Sequence, residues 1–296
     1  MDDQREPLLG NGHANGHSSR DSLVKQSSKT WVERFRRRMT ASVNTDWADL
    51  ILIMCFFVSG LIDSGAYNAY SCFTSMQTGN TVFAALGVSD LPVSQPRLSW
   101  TKSLCSILSF LLGSAAFSTF HRLMGGRKRW VLMLSFTIQT AFIALSALLV
   151  QHGKSSDSPA KTPPSLDPSF VNVLEDPGFP WSDLVPIGLL SCQAAGKVVA
   201  SRVLEFNALP TVVLTTLFND LMSDPYLLTA GIFSNVQRNR RVGGLAFYFG
   251  GAVLGGVMAK SSLGLAGALW IAVALKGAII LVWLVWKEDT SDDTDG

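Results

Sequence analysis

Long apolar blocks separated by polar connections occupy residues 47–287 of this 296-residue chain. A helix needs about 20 residues to cross the hydrocarbon core of a bilayer, and six of the eight blocks are close to that length. The block at 208–222 is too short, and the block at 69–90 crosses only if a helix continues through its polar centre. The approximate bounds of the eight blocks are 47–66, 69–90, 101–121, 129–150, 184–201, 208–222, 243–260 and 264–286. The pattern predicts an all-α polytopic membrane protein with about six spanning helices, or eight if both doubtful blocks also cross.

The basic residues favour six crossings over eight. They form clusters at 34–38, 127–129 and 238–241, whereas the connection at 151–182 holds six of the twelve prolines. Cytoplasmic loops of membrane proteins carry an excess of Lys and Arg. Six crossings place all three clusters on the cytosolic side and the Pro-rich loop on the other, whereas eight crossings place the 127–129 cluster outside. Six crossings also put both termini in the cytosol.

The blocks and connections divide the chain into five segments. The expected organisation is a disordered cytosolic tail with a basic amphipathic stretch (1–46), a first membrane half (47–150), a Pro-rich loop (151–182), a second membrane half (183–287) and an acidic tail (288–296). The stretch WVERFRRRM at residues 31–39 is expected at the cytoplasmic surface, beside anionic lipid. The sequence EPLL at residues 6–9 is similar to an acidic dileucine sorting signal, so a plasma membrane and a vacuolar or endosomal membrane are both open.

The two membrane halves resemble each other. Residues 110–116 (FLLGSAA) are similar in character to 248–254 (YFGGAVL), and Gly60–Ile62 is similar to Gly188–Leu190. An internal duplication with a period of about 130 residues accounts for both similarities. If each half crosses the membrane three times, the halves are inverted with respect to each other. Inverted repeats with broken helices near the midplane are typical of many secondary transporters.

The polar run SMQTGNT at residues 75–81 lies between two apolar stretches of the second block. Lipid offers backbone groups no hydrogen-bond partners, so irregular chain at that depth is buried in protein or lines a cavity. We therefore expect a helix break or re-entrant tip that contributes ligands for a small polar solute or ion. The residues concerned are Gln77, Thr78, Gly79, Asn80 and Thr81. A polar kink that neighbouring helices satisfy is the alternative interpretation.

The ionisable residues inside apolar blocks include Asp63, Lys197 and Lys276. Such residues are costly in a membrane, usually face the bundle interior, and mark pathways or pair with one another. Tyr67 follows Asp63 by one helical turn, and Gln193 precedes Lys197 by one turn, so both are included in the expected pathway. We expect Asp63 to pair with Lys197 or Lys276 and to sense protons or cations. An ion pair that only fixes helix packing remains the alternative.

Catalytic and cofactor motifs are missing from the sequence. It has no nucleophile elbow, P-loop or dinucleotide fingerprint, and its four cysteines include no Cys-x-x-Cys pair. No catalytic residue, metal or cofactor is predicted, and the lack of a basic stripe with interleaved aromatics argues against nucleic acid as a partner. A transporter or channel-like carrier of a small polar solute or ion in the lipid bilayer is favoured. A non-transporting membrane scaffold, sorting or lipid-interacting protein is the alternative, and an intramembrane enzyme is the least favoured class.

The segment GLIDSGAYNAYSCFTSMQTGNTV, residues 60–82, resembles the signature of the YoaK-like integral membrane proteins of unknown function. In that family an Asp is followed by a T-G-N-T core. The second half, from 193 to 225, is similar to fungal members, and the resemblance covers roughly residues 45–287. It implies a membrane location without an established substrate. It also implies that the family's core positions are Asp63, Thr78, Gly79, Asn80 and Thr81.

Overall fold

The computed structural model describes residues 30–89, 99–153, 180–206, 214–229, 231 and 234–289. The chain divides into two units, residues 1–41 and 42–296. In the first unit the described residues form helix α1 (30–40), on which the exposed rings of Trp31 and Phe35 stack with centroids 5.6 Å apart. The dileucine-like segment, the predicted disorder of residues 1–29 and most of the Pro-rich loop lie outside the described residues.

The second unit is built from helices, and its described residues form no β-strand. In chain order the helices are α2 (Ala48–Tyr70), α3 (Gln77–Val88), α4 (Ser99–Met124), α5 (Arg129–Gln151), α6 (Leu184–Val203), α7 (Leu214–Met222), α8 (Val236–Lys260) and α9 (Gly264–Val285). All except α3 and α7 are long and apolar enough to cross a membrane, including α6 together with the 3-10 turn before it, Trp181–Asp183. The protein is therefore a multi-pass helical membrane protein, and the prediction of an all-α fold with six spanning helices is confirmed.

The start of α2 and the end of α9 lie at the same end of the bundle. The backbone N–H of Val43 donates to the C=O of Arg127 at 3.0 Å, and that of Asp289 donates to the C=O of Ser42 at 3.0 Å. Arg127 also pairs with Glu205, just after α6, at 2.6 Å. The segments that flank α2, α4, α5, α6 and α9 therefore meet here. We call this the basic end.

Two ion pairs lie at the two ends of the bundle. At the basic end, Arg240 in the first turns of α8 pairs with Asp49 in the first turn of α2, with Nε and Oδ2 2.8 Å apart. At the opposite end, Lys102 in the first turn of α4 pairs with Asp183 immediately before α6, with Nζ and Oδ2 2.7 Å apart. The six spanning helices therefore alternate in direction.

The closest helix pairs combine helices from the two predicted halves. Helix α2 packs on α8, α4 packs on α6, and α5 packs on both α6 and α9. A side-chain carbon added at Gly60 would collide with the backbone oxygen of Tyr248, and one added at Gly113 would lie 2.9 Å from the Cα of Cys192. Small residues at such positions let two helix backbones approach closely. Glycine is thus required at these two crossings.

Helix α3 does not cross the bundle. After α2 ends at the opposite end, the chain turns back until Thr74 reaches Asp63, which lies seven residues, or about 10 Å, before the end of α2. Helix α3 then returns, because a side-chain carbon at Gly87 would collide with Trp100 near the start of α4. The segment therefore enters and leaves at the same end of the bundle. We call residues 71–76 the re-entrant loop.

Helix α7 is a second short helix, and it lies at the basic end. It has nine residues, and its Leu217 packs against Leu52 and Phe56 of α2. Its last turn stays at the basic end, where Nη1 of Arg241 donates to the C=O of Asp220 at 3.1 Å. Because α6 also ends there, the connection from α6 to α8 begins and finishes on one side.

Candidate functional site

Asp63 anchors the re-entrant loop from inside the bundle. Its side chain is buried, and its Oδ1 accepts hydrogen bonds from the N–H of Thr74 at 3.0 Å, the hydroxyl of Thr74 at 2.9 Å and the N–H of Ser75 at 2.9 Å. Its Oδ2 accepts from the hydroxyl of Ser75 and from the Tyr248 hydroxyl on α8 at 3.4 Å. Backbone released from a helix at membrane depth must find such partners within the protein. The carboxylate supplies them.

Asn80 anchors the same loop from its other side. Its side-chain amide pairs with both peptide groups of Phe73: Oδ1 accepts from the N–H at 2.9 Å, and Nδ2 donates to the C=O at 2.7 Å. Nδ2 also donates to the Ser106 hydroxyl of α4 at 2.9 Å, and Gln77 donates to the C=O of Thr74 at 3.0 Å. The helix break thus falls at residues 71–76, ahead of the predicted 75–81. Gln77 and Asn80 are helical residues that hold the break in place.

The other predicted residues of the polar run face outward or pack on aromatic rings. The side chains of Thr78 and Thr81 are exposed, and the Thr81 hydroxyl donates to the C=O of Gln77 within α3. A side-chain carbon at Gly79 would lie 3.1 Å from the ring of Phe73, which explains the glycine. Tyr67 is 45% exposed and stacks on the same Phe73 ring at 4.9 Å. Tyr67 therefore does not share the buried face of Asp63 as the helical spacing suggests.

Two fully buried lysines meet neutral side chains at the centre of the bundle. Lys197 of α6 donates to the Ser59 hydroxyl of α2. Lys276 of α9 donates to Oε1 of Gln139 on α5 at 2.5 Å and to Oε1 of Gln193 on α6 at 3.0 Å. Ser59, Gln139 and Lys276 each lie near the middle of their helices. We call these five residues the central lysine cluster.

The expected ion pair between Asp63 and a buried lysine does not form. All three residues lie in the described part of the chain, and no ion pair joins Asp63 to Lys197 or Lys276 there. The physical reason is competition, because the donors of the re-entrant loop occupy both oxygens of the Asp63 carboxylate. Ser59, one turn before Asp63 on α2, contacts Lys197 instead. The structure thus places the predicted residues in two separate groups.

Several residues of these two groups were not predicted from the sequence. Gln139 is the one amide side chain in the 129–150 block, and a single amide at mid-span is a signal that could have identified it. Ser59 and Ser106 carry no such signal, because serine is common on helix interfaces in membranes. Tyr248 was also missed, since its contact with Asp63 depends on how α8 packs on α2. Among the described residues, no group of three His, Cys, Asp or Glu could hold a metal ion.

A cleft of about 800 Å³ opens at the basic end, where the connection between α7 and α8 folds around Asp224. Asn235 donates to one oxygen of this carboxylate at 2.9 Å, and the N–H of Tyr226 donates to the other at 2.9 Å. These hydrogen bonds, together with the positive charge of Arg241, favour the ionised form and lower the pKa of Asp224 below its ordinary value. The carboxylate is thereby engaged in ordering the connection.

Comparison with known proteins gives a family and no relative of known function. Residues 51–282 match the family model described as "Protein of unknown function (DUF1275)". This match confirms the family resemblance carried by residues 60–82. No curated protein matches the chain, and no solved structure matches it.

Proposed function

This chain belongs to the DUF1275 family of proteins of unknown function, and we propose that it is a transporter or channel-like carrier of a small polar solute or ion. The observation that carries the proposal is the central lysine cluster. Lys197 and Lys276 are 1% and 0% exposed, and both lie within membrane-spanning helices. Ionisable side chains at that depth are costly and by default indicate a functional site.

The helix packing is compatible with the predicted inverted duplication, which supports this proposal. If α2–α5 correspond to α6–α9, the packing of α2 on α8 corresponds to the packing of α6 on α4, and the contact of α5 with α9 corresponds to itself. Helices α2 and α6 also end alike, since each is followed by a non-glycine residue in the left-handed conformation, Ser71 with φ 58° and Glu205 with φ 63°. Each half then has a short helix, α3 or α7, at its own end of the bundle. Inverted repeats with short or broken helices are found in many secondary transporters.

We propose that the two ion pairs act as the gates of such a transporter. Under the same correspondence, Asp49 of α2 matches Asp183 before α6, and Arg240 of α8 matches Lys102 of α4. One pair joins helices at the basic end and the other joins the equivalent helices at the opposite end. We propose that the two pairs open alternately, so that the central lysine cluster faces one side of the membrane at a time.

We base the proposed orientation of the protein in the membrane on its clusters of basic residues. The basic end holds the clusters at 127–129 and 238–241, so we propose that it faces the cytosol together with both termini. The membrane itself is proposed to be the plasma membrane or a vacuolar or endosomal membrane. We propose no catalytic role and no partner other than the lipid bilayer and the solute.

Reconstituted vesicles test the proposed function directly. The purified full-length protein is placed in liposomes, a mixture of small ions and metabolites is supplied outside, and the contents are measured by ion chromatography and mass spectrometry. We expect at least one solute to accumulate with the wild-type protein and not with Lys276→Gln. Lys260→Gln is the matched control, because Lys260 is exposed in the last turn of α8. If folded protein moves no solute, the non-transporting scaffold or sorting protein becomes the better interpretation.

A further inference from the structure

The two lysines of the central lysine cluster have neutral hydrogen-bond partners. Lys197 contacts a hydroxyl and Lys276 contacts two amide oxygens, all of them neutral groups. Across the residues that the structure describes, no carboxylate oxygen lies within 4.0 Å of either Nζ. The closest acid along α2, Asp63, is one turn from Ser59 and is engaged by the re-entrant loop. Neither ammonium group is therefore in direct contact with a carboxylate.

The two lysines are also close to each other. Gln193, which binds Lys276, precedes Lys197 by one turn on α6, and residues one turn apart are neighbours on a helix surface. An ammonium group has three N–H donors. Lys197 uses one of them in its bond to Ser59, and Lys276 uses two in its bonds to the glutamines. Donors thus remain on both groups for a further acceptor.

We propose that the transported solute is a small anion that binds between the ammonium groups of Lys197 and Lys276. This inference rests on the proposed transport function and names its substrate class. A buried charge is costly unless it is paired, so an anion between the two ammonium groups offsets a cost that the protein bears without it. A cation at the same place would add a third positive charge. A neutral solute would leave the two existing charges unpaired.

Anion binding is measured by thermal unfolding of the full-length protein in detergent. Sodium chloride, nitrate and formate are compared with sodium gluconate, whose anion is much larger, at equal sodium concentration and ionic strength. We expect at least one small anion to raise the Tm saturably, since a ligand that binds only the folded state stabilises it by mass action. The absence of any such rise overturns the inference. A rise in Tm that changes when sodium is replaced by potassium or choline at constant chloride also overturns the inference.

Two variants test whether the two lysines form the anion site. Their Tm in the absence of small anions distinguishes an anion site from a contact that only stabilises the fold. Lys197→Gln and Lys276→Gln are expected to lose the anion response, whereas Lys260→Gln keeps it. In gluconate both variants are expected to be at least as stable as the wild type, because each removes a buried charge that contacts no carboxylate. If Lys276 only bridges the two glutamines, its loss lowers the Tm in every salt, and the inference fails. Lys276→Arg retains the charge and is expected to retain the response.

The binding and flux experiments can fail separately. Saturable anion binding without flux of that anion overturns the transport proposal and leaves the anion site in place. Flux of a neutral solute or a cation without an anion response overturns the anion inference and leaves transport in place. If wild-type vesicles accumulate an anion that also raises the Tm, and Lys276→Gln loses both effects, the two proposals stand together.

Discussion

Asp63→Ala is expected to release the re-entrant loop while the six spanning helices stay in place. The substitution removes the acceptor of two buried backbone donors, the N–H groups of Thr74 and Ser75. An orphaned buried donor costs about 1–3 kcal/mol, so the closed loop loses about 2–6 kcal/mol relative to the open loop. The two hydroxyl donors are left out of this sum, because they can rotate toward other acceptors. The open population should rise by about 30-fold to 20,000-fold, at about 1.4 kcal/mol for each factor of ten.

The chain contains its own reporter of loop opening. Cys72 lies in the re-entrant loop and is a free cysteine with 0% exposure. With the other three cysteines replaced by alanine, the rate at which a maleimide labels Cys72 follows the open population when opening and closing are fast. We expect Asp63→Ala to accelerate labelling by at least about 30-fold and Thr78→Ala, an exposed residue of the same motif, to leave the rate unchanged.

Asp63→Asn separates the anchoring role from the predicted proton-sensing role. Asparagine keeps one oxygen in place of Oδ1 but loses the charge, and hydrogen bonds to a charged group are roughly twice as strong as neutral ones. Labelling of Cys72 should therefore rise far less than in Asp63→Ala. If Asp63→Ala labels at the wild-type rate with its helix content intact, the anchoring argument is wrong. Loss of pH-dependent flux in Asp63→Asn with the loop closed would instead support the sensor.

Three further predictions concern single contacts. Asn80→Asp should destabilise the protein in thermal unfolding by about 3–5 kcal/mol, which is more than Asn80→Ala. The reason is that a carboxylate oxygen would then face the C=O of Phe73 at 2.7 Å. Equal losses of stability in the two variants would contradict the amide pairing. A short thiol cross-linker between cysteines at Asp49 and Arg240 should stop flux until it is cleaved, and flux that continues through the cross-link would exclude a gate there. The connection around Asp224 should resist protease at a pH above the ordinary carboxyl pKa. It should lose this protection as the pH falls through the lowered pKa that Asp224 has in the folded state. Protection that stays constant with pH would show that the Asp224 carboxylate does not order the connection.

The spanning helices could be predicted from the sequence because a membrane span is recognised from the length of one continuous apolar stretch. Hydrocarbon thickness sets the helix length, and this length does not depend on tertiary contacts. The polar run was located for the same reason. Its precise break was not, because residues 71–76 leave the helix only where Asp63 and Asn80 can receive their backbone groups.

The partners of the ionisable residues could not be predicted in the same way. Opposite charges in apolar blocks suggested that Asp63 would pair with a lysine. The partner of Asp63 depends, however, on which hydrogen-bond donors the folded chain holds next to its carboxylate. The peptide groups of Thr74 and Ser75 are fixed next to Asp63 by the chain itself, whereas Lys197 must reach it from another helix. Lys276 meets Gln139, 137 residues earlier in the chain, only because α5 and α9 pack together.

The close packing of α2 on α8 has a consequence for biosynthesis. Tyr248, which contacts Asp63, is made 185 residues after it, and ribosomes add about 5–20 residues per second. Helix α2 therefore spends about 10–40 seconds in the membrane with the crossing surface at Gly60 uncovered. During that interval the small-residue surface of α2 is available to lipid or to other proteins in the membrane. A synonymous codon change that slows elongation before α8 lengthens this period of exposure without altering a single contact of the finished protein.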